Sequence, residues 1–271
     1  MPALPIPPSP PAWSLPMAPV HIAGELYDVG SQGISAFVLK TKAGAVLIDA
    51  GMPLYAPQLL RNLAAVGVQP KDVKVIVAGH AHFDHAGALA AVKAATGAKL
   101  AIMDADVHWD ETGTYPGRDD HLLDYPPVKV DRVLHDGDTV SLGGVTLVAR
   151  KTPGHTPGCT TWTFPVSEGG RTYSVIYQCS MTVGANRLFE PQITHQGIVA
   201  DYRKTFATLK TMQADIFLAP HAEQFDLKGK LAKVAPGAPN PFVDPSELQR
   251  RVGTAEAAFD VELKKQDVAA K

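Results

Sequence analysis

Cysteine, net charge and long apolar runs are all scarce in this sequence of 271 residues. The only two cysteines, Cys159 and Cys179, do not make a disulfide framework and say little about the redox compartment. A formal net charge of -2 at pH 7 gives no sequence-wide reason to expect binding to DNA, RNA or anionic lipid. No apolar run reaches the roughly 18 residues that a transmembrane helix needs. The sequence therefore predicts neither a nucleic-acid partner nor a membrane span.

Positive charge is absent from the N-terminal segment, which has no Lys or Arg before Lys40. Without a basic region it is not predicted to be a signal peptide, so the chain is either cytoplasmic or a mature form written without its leader. Residues 1–20 contain eight prolines. Because proline locks φ and lacks a backbone N–H, we predict a Pro-rich N-terminal arm over residues 1–20, extended rather than helical. Trp13 and Leu15 are its predicted anchors to the body.

Secondary-structure signals alternate along the rest of the chain, which is 45% hydrophobic and 19% charged. Short β-rich runs and helical patterns follow one another, so we predict an α/β fold. The predicted strands cover residues 45–48, 73–78, 100–103, 145–149, 173–177 and 216–219. The predicted helices cover residues 54–66 and 86–96, and Asp244, Pro245 and Glu247 predict a capping-box start for a C-terminal helix. Residues 104–128, rich in Asp, Gly, Pro and His, are predicted to form a long surface loop.

A cluster of metal-ligand residues lies where a predicted buried strand ends and an Ala-rich helix begins. Within six residues the chain places His80, His82, Asp84 and His85. The backbone turns sharply at such a junction, so side chains of odd and even positions can converge on one point. The plain alternative is a helix cap with solvated histidines. Four ligand-type residues this close at the carboxyl end of a strand favour a metal site instead.

Two more histidines follow predicted strands far along the chain. His155 lies in a Thr-Pro-Gly-His loop, whose Pro and Gly residues favour a tight turn that holds a side chain rigidly. His221 follows Pro220 just after the strand at 216–219. Each is a weak signal alone, but with the cluster they give three strand ends that carry imidazole. The other histidines are predicted to be solvated: His21, His108, His121, His135 and His195.

These three motifs resemble the metallo-β-lactamase superfamily, over about residues 22–260. Finer features resemble subclass B3 of the metallo-β-lactamases, and they lie at residues 48–53 (IDAGMP), 125–127 (YPP), 155–160 (HTPGCT) and 201–206 (DYRKTF). The resemblance implies a four-layer αββα sandwich with mixed sheets, as a single domain at residues 21–271. It also implies two zinc ions per chain, one bound by His80, His82 and His155 and the other by Asp84, His85 and His221. Both ligand sets suit the chemistry of Zn²⁺.

The segment after the strand at 173–177 bears on the substrate class. Many members of the superfamily place a bridging aspartate there, whereas subclass B1 places a cysteine and subclass B3 a serine. Here the residues are Gln-Cys-Ser-Met-Thr, with no acid. We align Ser180 with the B3 serine and interpret Cys179 as a small buried residue. The resemblance then implies that Ser180 and Thr182 bind substrate, although a serine at such a turn needs no function.

Asp49 closes the strand at 45–48 and has two interpretations. It is either a turn residue or, by the resemblance, a carboxylate behind the metal ligands that orients them. Elsewhere, some subclass B3 enzymes carry a disulfide late in the chain, but here no cysteine follows Cys179. The C-terminal region is therefore predicted to be held by packing alone.

The resemblance implies zinc-dependent hydrolysis of the β-lactam amide bond of penicillins, cephalosporins and carbapenems. A metal-bound hydroxide would act without a covalent intermediate, and Asp84 would be catalytic by holding its zinc and orienting the hydroxide. One alternative is another hydrolase of this fold, acting on a thioester, lactone or phosphoester, and the missing acid argues against it. Another is a structural zinc, which usually has four protein ligands rather than an open position. A monomer with a role in antibiotic resistance is expected, in the periplasm by resemblance, with a cytoplasmic location left open.

Overall fold

Two mixed β-sheets lie face to face at the centre of the molecule, in a computed structural model that describes residues 9–118 and 120–269. Within those residues the first sheet has seven strands, side by side in chain order: β1 (Val20–Ala23), β2 (Leu26–Asp28), β3 (Phe37–Thr41), β4 (Gly44–Ile48), β5 (Val73–Val77), β6 (Lys99–Met103) and β7 (Arg132–Leu134). Strands β1 to β4 pair antiparallel, and β4 to β7 pair parallel.

The second sheet has five strands in the described part of the chain: β8 (Thr139–Leu142), β9 (Val145–Lys151), β10 (Thr160–Glu168), β11 (Arg171–Tyr177) and β12 (Ile216–Leu218). Their order is β12-β11-β10-β9-β8. Only the β11–β12 pair is parallel among these strands, so this sheet is mixed as well.

Helices cover the outer faces of the two sheets. The α-helices are α1 (Ala56–Ala65), α2 (Phe83–Ala86), α3 (Leu89–Thr96), α4 (Val107–Thr112), α5 (Ile198–Lys210), α6 (Leu227–Leu231) and α7 (Glu247–Ala269). Short 3₁₀ helices occur at Pro11–Trp13, Pro53–Tyr55, Pro70–Asp72, Asp104–Asp106 and Ala222–Phe225. Helices α1 and α3 pack on the first sheet, and α5 and α7 pack on the second. The predicted four-layer αββα sandwich with mixed sheets is confirmed. No helix among the described residues is both long and apolar enough to cross a membrane.

Strand β4 shows why the central strands are apolar throughout. Val46 and Ile48 point between the sheets, into a cluster that includes Trp162 of β10. Ala45 and Leu47 point to the other face and belong to the cluster beneath α1 and α3. A strand buried on both faces loses the polar–apolar alternation of a half-exposed strand. Its parallel pairing with β5 brings the carboxyl ends of both strands to one edge.

The prediction of a surface loop over residues 104–128 was wrong in part. The segment begins with the 3₁₀ helix Asp104–Asp106 and continues into α4. Asp106, Asp110 and Tyr125 are buried, and the Tyr125 hydroxyl donates a hydrogen bond to Asp110 at 3.0 Å. Composition alone indicated a loop because aspartate is usually exposed, whereas the Asp106 carboxylate has hydrogen-bond partners from other segments and the Asp110 carboxylate has one within this segment.

The predicted extended arm is also corrected. Residues 1–8 lie outside the described residues. Beyond them, Pro11–Trp13 forms a 3₁₀ helix with proline in its first turn, where the missing N–H costs no bond. Trp13 does pack on the body, with its ring centroid 5.1 Å from that of His221. Leu15 is not an anchor through its side chain, which is 46% exposed.

The C-terminal helix α7 begins at Glu247, two residues later than a capping box with proline at the first helical position would place it. The Asp244 carboxylate instead accepts a hydrogen bond from the backbone N–H of Ser246 at 3.0 Å.

Glu247 turns inward, and Lys230 Nζ donates to its carboxylate at 2.6 Å, with both side chains buried. The prediction that packing alone holds this region was therefore wrong. Removing one partner of a buried ion pair typically costs about 3–5 kcal/mol.

Cys159 and Cys179 form a disulfide that the sequence analysis did not predict. Cys159 directly precedes β10 and Cys179 lies just beyond β11, and these strands pair antiparallel with Trp162 opposite Tyr177. The hairpin therefore brings its two open ends together, and the two Cα atoms lie 5.8 Å apart. Such a distance is typical of a bridged pair.

We expect the double substitution Cys159→Ala/Cys179→Ala to lower the free energy of unfolding by about 3 kcal/mol, because the bridge closes a loop of 20 residues in the unfolded chain. Urea unfolding of metal-free protein measures the change. As a control, a reducing agent should destabilise the wild type by a similar amount and leave the double variant unaffected. A loss of less than about 1 kcal/mol would contradict the expected contribution.

Candidate metal centre

The histidine-rich run occupies the turn between β5 and α2. His80 and His82 lie on this turn, and His82 is the residue before α2, with an extended backbone conformation (φ -118°, ψ 147°). Asp84 and His85 lie within α2 itself. In a continuous strand these side chains would point to alternating faces. Because the backbone changes from extended to helical between these positions, they point in the same direction instead.

The turn and the loop after β9 together form a three-histidine group, defined as His80, His82 and His155. The ring centroids of these residues lie 4.6–4.7 Å apart, and all three side chains are buried. One nitrogen of each ring lies within 4.8 Å of a nitrogen of the others. Residues 75 positions apart thus present three imidazoles to one point.

In each of His80 and His82, one ring nitrogen lies near a polar partner and the other has no hydrogen-bond partner. His82 Nδ1 lies 3.2 Å from the Tyr115 hydroxyl, and His80 Nδ1 lies 3.5 Å from Cys179 Sγ. Both Nε2 atoms are buried without a hydrogen-bond partner. A buried nitrogen normally has a partner, so these two atoms fit the lone-pair donors of a metal site.

His155 has the same arrangement on the opposite segment. Its Nδ1 donates to the backbone carbonyl of Thr182 at 2.7 Å, which leaves Nε2 as the unprotonated nitrogen. That carbonyl also accepts a hydrogen bond from the Tyr202 hydroxyl at 2.7 Å. Asn186 Nδ2 donates to the carbonyl of His155 itself at 2.9 Å. The orientation of this imidazole is therefore determined by the loop after β11 and by α5.

A second set of donors, the aspartate–histidine group, consists of Asp84, His85 and His221. Asp84 Oδ2 lies 3.2 Å from His85 Nε2 and 3.5 Å from His221 Nε2, and the two nitrogens are 3.2 Å apart. Ligand atoms about 2.1 Å from a tetrahedral zinc are separated by about 3.4 Å, so these three atoms fit one ion. The rings of His85 and His80 have centroids 4.4 Å apart, so the two groups adjoin.

Burial and the Asp84–His85 contact shift the pKa values of the donor residues in different directions. It lowers the pKa of His155 to about 4 and that of His221 to about 3, so both imidazoles are neutral at pH 7. Burial alone raises the pKa of Asp84, but the charge and hydrogen bond of His85 prevail and hold that pKa below its usual range. For His85, burial lowers the pKa, whereas the Asp84 carboxylate raises it and prevails. The neutral imidazoles of His155 and His221 and the Asp84 carboxylate are thus in the forms that bind a metal, whereas His85 would have to release a proton to do so.

Both donor groups lie within a match to a known protein family. The model of the metallo-beta-lactamase superfamily matches residues 29–221, which contain all six donor residues. The chain belongs to the metallo-β-lactamase superfamily. This confirms the resemblance predicted from the motifs, and the matched residues include both candidate metal-binding groups.

The similar solved structures cover nearly the whole superfamily domain. BJP-1, a subclass B3 metallo-β-lactamase of Bradyrhizobium japonicum, is 42% identical, with a TM-score of 0.93 over 96% of this chain and 99% of that one. The FEZ-1 metallo-β-lactamase from Legionella gormanii is 36% identical, with a TM-score of 0.89 over 94% of this chain and 98% of that one.

Curated relatives match only part of their own length. A hydroxyacylglutathione hydrolase of Fuscovulum blasticum is 34% identical over 157 residues, which are 57% of this chain and 51% of that protein. Overall, the chain spans between about a third and three fifths of the length of the first curated relatives that it matches.

Within this domain of the metallo-β-lactamase superfamily, Asp49 lies behind the candidate metal ligands rather than among them. It is fully buried, with φ at +62°, and it accepts a hydrogen bond from the backbone N–H of Gly79 at 2.6 Å. The Tyr177 hydroxyl donates to its other oxygen. Asp49 thus holds the residue directly before His80, and it also ends a strand. The contacts agree with both interpretations of Asp49, as a turn residue and as a carboxylate that orients the ligands. Any orienting effect on His80 passes through the backbone of Gly79.

Ser180 and Thr182 lie beside the three-histidine group, where they were predicted to bind substrate. The Ser180 hydroxyl is buried and lies 3.2 Å from that of Thr182. The Thr182 side chain is exposed, while its carbonyl orients His155. Cys179 is buried as predicted, but it is paired with Cys159 rather than free.

Two aromatic residues contact the ligands in a way that the sequence analysis did not specify. The Tyr115 ring stacks on His82 with centroids 4.1 Å apart and planes 14° apart, so it supports one of the candidate ligands. Trp13 lies against His221 and also 6.3 Å from Phe83, measured between ring centroids. In the sequence, the sign of such a role is an aromatic residue within a polar loop. Which histidine the ring contacts depends on the fold.

The histidines outside both groups were predicted to be solvated. Four of the five are exposed, as predicted: His21, His108, His121 and His135. The prediction was wrong for His195, which is half-buried. It lies 3.2 Å from the Asp201 carboxylate at the start of α5. Among the described residues, this pair is not part of any group of three or more donors that could hold a metal ion.

Proposed function

We propose that this chain is a zinc-dependent β-lactamase of subclass B3. The observation that carries the proposal is its similarity to BJP-1, at 42% identity over 96% of this chain. The similarity to this structure extends over nearly the whole chain, whereas a curated relative with another activity matches 157 residues. The fold alone hosts many chemistries, so the proposal depends on the site as well.

The three-histidine group and the aspartate–histidine group would each hold one Zn²⁺. Zinc in such sites lowers the pKa of water to about 7 and polarises a carbonyl oxygen. The fit rests on the unpartnered Nε2 atoms of His80 and His82 and on the separations of 3.2–3.5 Å within the other group.

The chain's own residues would orient the reaction. Asp84 remains a carboxylate at neutral pH, so it would accept a hydrogen bond from the attacking water. Water adds its oxygen to the lactam carbonyl carbon, the C–N bond breaks, and the ring nitrogen takes a proton. The Ser180 hydroxyl would bind the substrate carboxylate, directly or through a water molecule, with Thr182 beside it. No serine nucleophile is required.

A thioester or lactone hydrolase is the second candidate. The similarity to a hydroxyacylglutathione hydrolase, at 34% identity over 157 residues, favours it. The residues that follow β11 argue against it, because Gln178, Cys179 and Ser180 supply no carboxylate to bridge two metal ions.

A chromogenic cephalosporin assay on purified protein, with and without a chelator, tests the proposal. We expect ring opening that falls to the background rate on chelation and returns when Zn²⁺ is added. Circular dichroism of the chelated protein should show a retained fold, because the ligands lie at strand ends rather than in the core. Zinc-dependent thioester hydrolysis without lactam opening would reject the proposal in favour of the second candidate. Wholesale unfolding on chelation would indicate a structural metal.

A further inference from the structure

The three-histidine group is assembled from two segments that belong to different sheets. His80 and His82 follow β5 of the first sheet, whereas His155 lies between β9 and β10 of the second. Metal-ligand geometry tolerates errors of only a few tenths of an ångström, so something must hold the two segments in register.

One buried carboxylate contacts both segments. Asp106 Oδ2 accepts a hydrogen bond from the backbone N–H of Ala81 at 3.0 Å and another from the Thr156 hydroxyl at 2.7 Å. Its Oδ1 accepts a third from the backbone N–H of Gly158 at 2.7 Å. The side chain is buried, with 1% exposure, so these bonds are not weakened by solvent.

The donors are adjacent to the ligands themselves. Ala81 lies between His80 and His82, and Thr156 directly follows His155. A shift of either donor therefore moves an imidazole. Gly158 also approaches closely, because a Cβ at that position would lie 2.6 Å from Asp106 Cγ. The carboxylate is thus hydrogen-bonded to both segments and packs closely against the backbone of Gly158.

We propose that Asp106 is a positioning residue for the three-histidine group, which holds the two ligand-bearing segments at the separation that one metal ion requires. It does not touch the metal or the substrate. The proposal requires that the three histidines bind a metal ion, but it does not depend on the identity of the substrate.

Metal affinity of the Asp106→Asn variant tests this role. Asparagine keeps the shape of the side chain, but its amide NH₂ can only donate hydrogen bonds. It must therefore face one of the N–H or O–H groups that donate to the Asp106 carboxylate, and that hydrogen bond is lost. The measurement is Co²⁺ binding by absorption spectroscopy, with chelator competition, in a His221→Ala background that isolates the three-histidine group. We expect the affinity to fall by about 10–100-fold, the usual cost of losing a hydrogen-bond partner behind a metal ligand, and the Co²⁺ spectrum to change.

Asp104→Asn is the matched control, since Asp104 is an exposed carboxylate two residues away that pairs with Lys151 at 2.6 Å. Its Co²⁺ affinity should equal that of the background protein. If Asp106→Asn does not fold, Thr156→Val removes one of the three donors and should give a smaller loss of affinity. An unchanged Co²⁺ affinity and spectrum in the folded variant, with or without a lower Tm, would overturn the proposal, because a merely structural role changes only stability. Failure of lactam hydrolysis in the parent protein would leave this test intact.

Discussion

Replacing His155 with alanine should abolish β-lactam hydrolysis, with kcat/KM at least about 10³-fold lower, while the protein remains folded. Losing a partner behind a metal ligand typically costs about 10–100-fold, and losing the ligand itself should cost more. Without His155 the three-histidine group keeps only two nitrogen donors, the Nε2 atoms of His80 and His82. Two donors are too few to hold a zinc ion in the usual way. Fold is retained because His155 lies in a loop rather than in either hydrophobic cluster.

The cephalosporin assay and a thermal unfolding scan by circular dichroism measure the two parts of this prediction. His108→Ala is the matched control, since His108 is exposed and belongs to neither donor group. It should retain wild-type activity. Full activity in the His155→Ala protein would remove His155 from the site and would leave the three-histidine group without a function.

Asp84→Asn should lower kcat/KM by about 10²–10³-fold and reduce the bound zinc from two ions per chain to one. Asparagine preserves the shape but loses the negative charge, and the charge is what a metal ligand beside His85 and His221 supplies. Water would also lose its strongest acceptor in the site. The Asp84 carboxylate is the only acid among the six donors, so no neighbouring donor replaces its charge.

Elemental analysis of the purified variant and the cephalosporin assay measure these effects together. Asp260→Asn is a suitable control, because Asp260 forms an exposed ion pair with Arg203 on the surface. Such pairs contribute little, so its activity and zinc content should match the wild type. An Asp84→Asn enzyme with two zinc ions and wild-type turnover would exclude the proposed role of Asp84.

Local sequence patterns predicted the elements whose signals are self-contained. The apolar run of β4 and the Ala-rich run of α3 report directly on burial and helix propensity, and both elements occur close to their predicted positions. The cluster from His80 to His85 was equally accessible, because its members are neighbours in the chain. The finer role of Ser180 stays a prediction, since it depends on an adjacent substrate.

Buried polar groups were not predictable in the same way. Asp106 and Asp110 looked like loop residues because aspartate is usually solvated. Asp106 is buried only because its hydrogen-bond donors come from Ala81 and from the segment at 156–158, which are 25–52 positions away. Nothing in the composition of residues 104–128 shows those partners. The Cys159–Cys179 bridge was missed for a related reason, because the pairing of β10 with β11 brings the two sulfurs together.

The sequence by itself determined which segments carry imidazole and carboxylate and at which strand ends they occur, because ligand type and strand pattern are properties of neighbouring residues. Only the tertiary structure decided which nitrogen of each ring faces the metal position. That choice follows from the partner on the other side of the ring, such as the Thr182 carbonyl for His155 or the Tyr115 hydroxyl for His82. Those partners are 27 and 33 residues distant along the chain, so only the pairing of strands within each sheet brings them into contact.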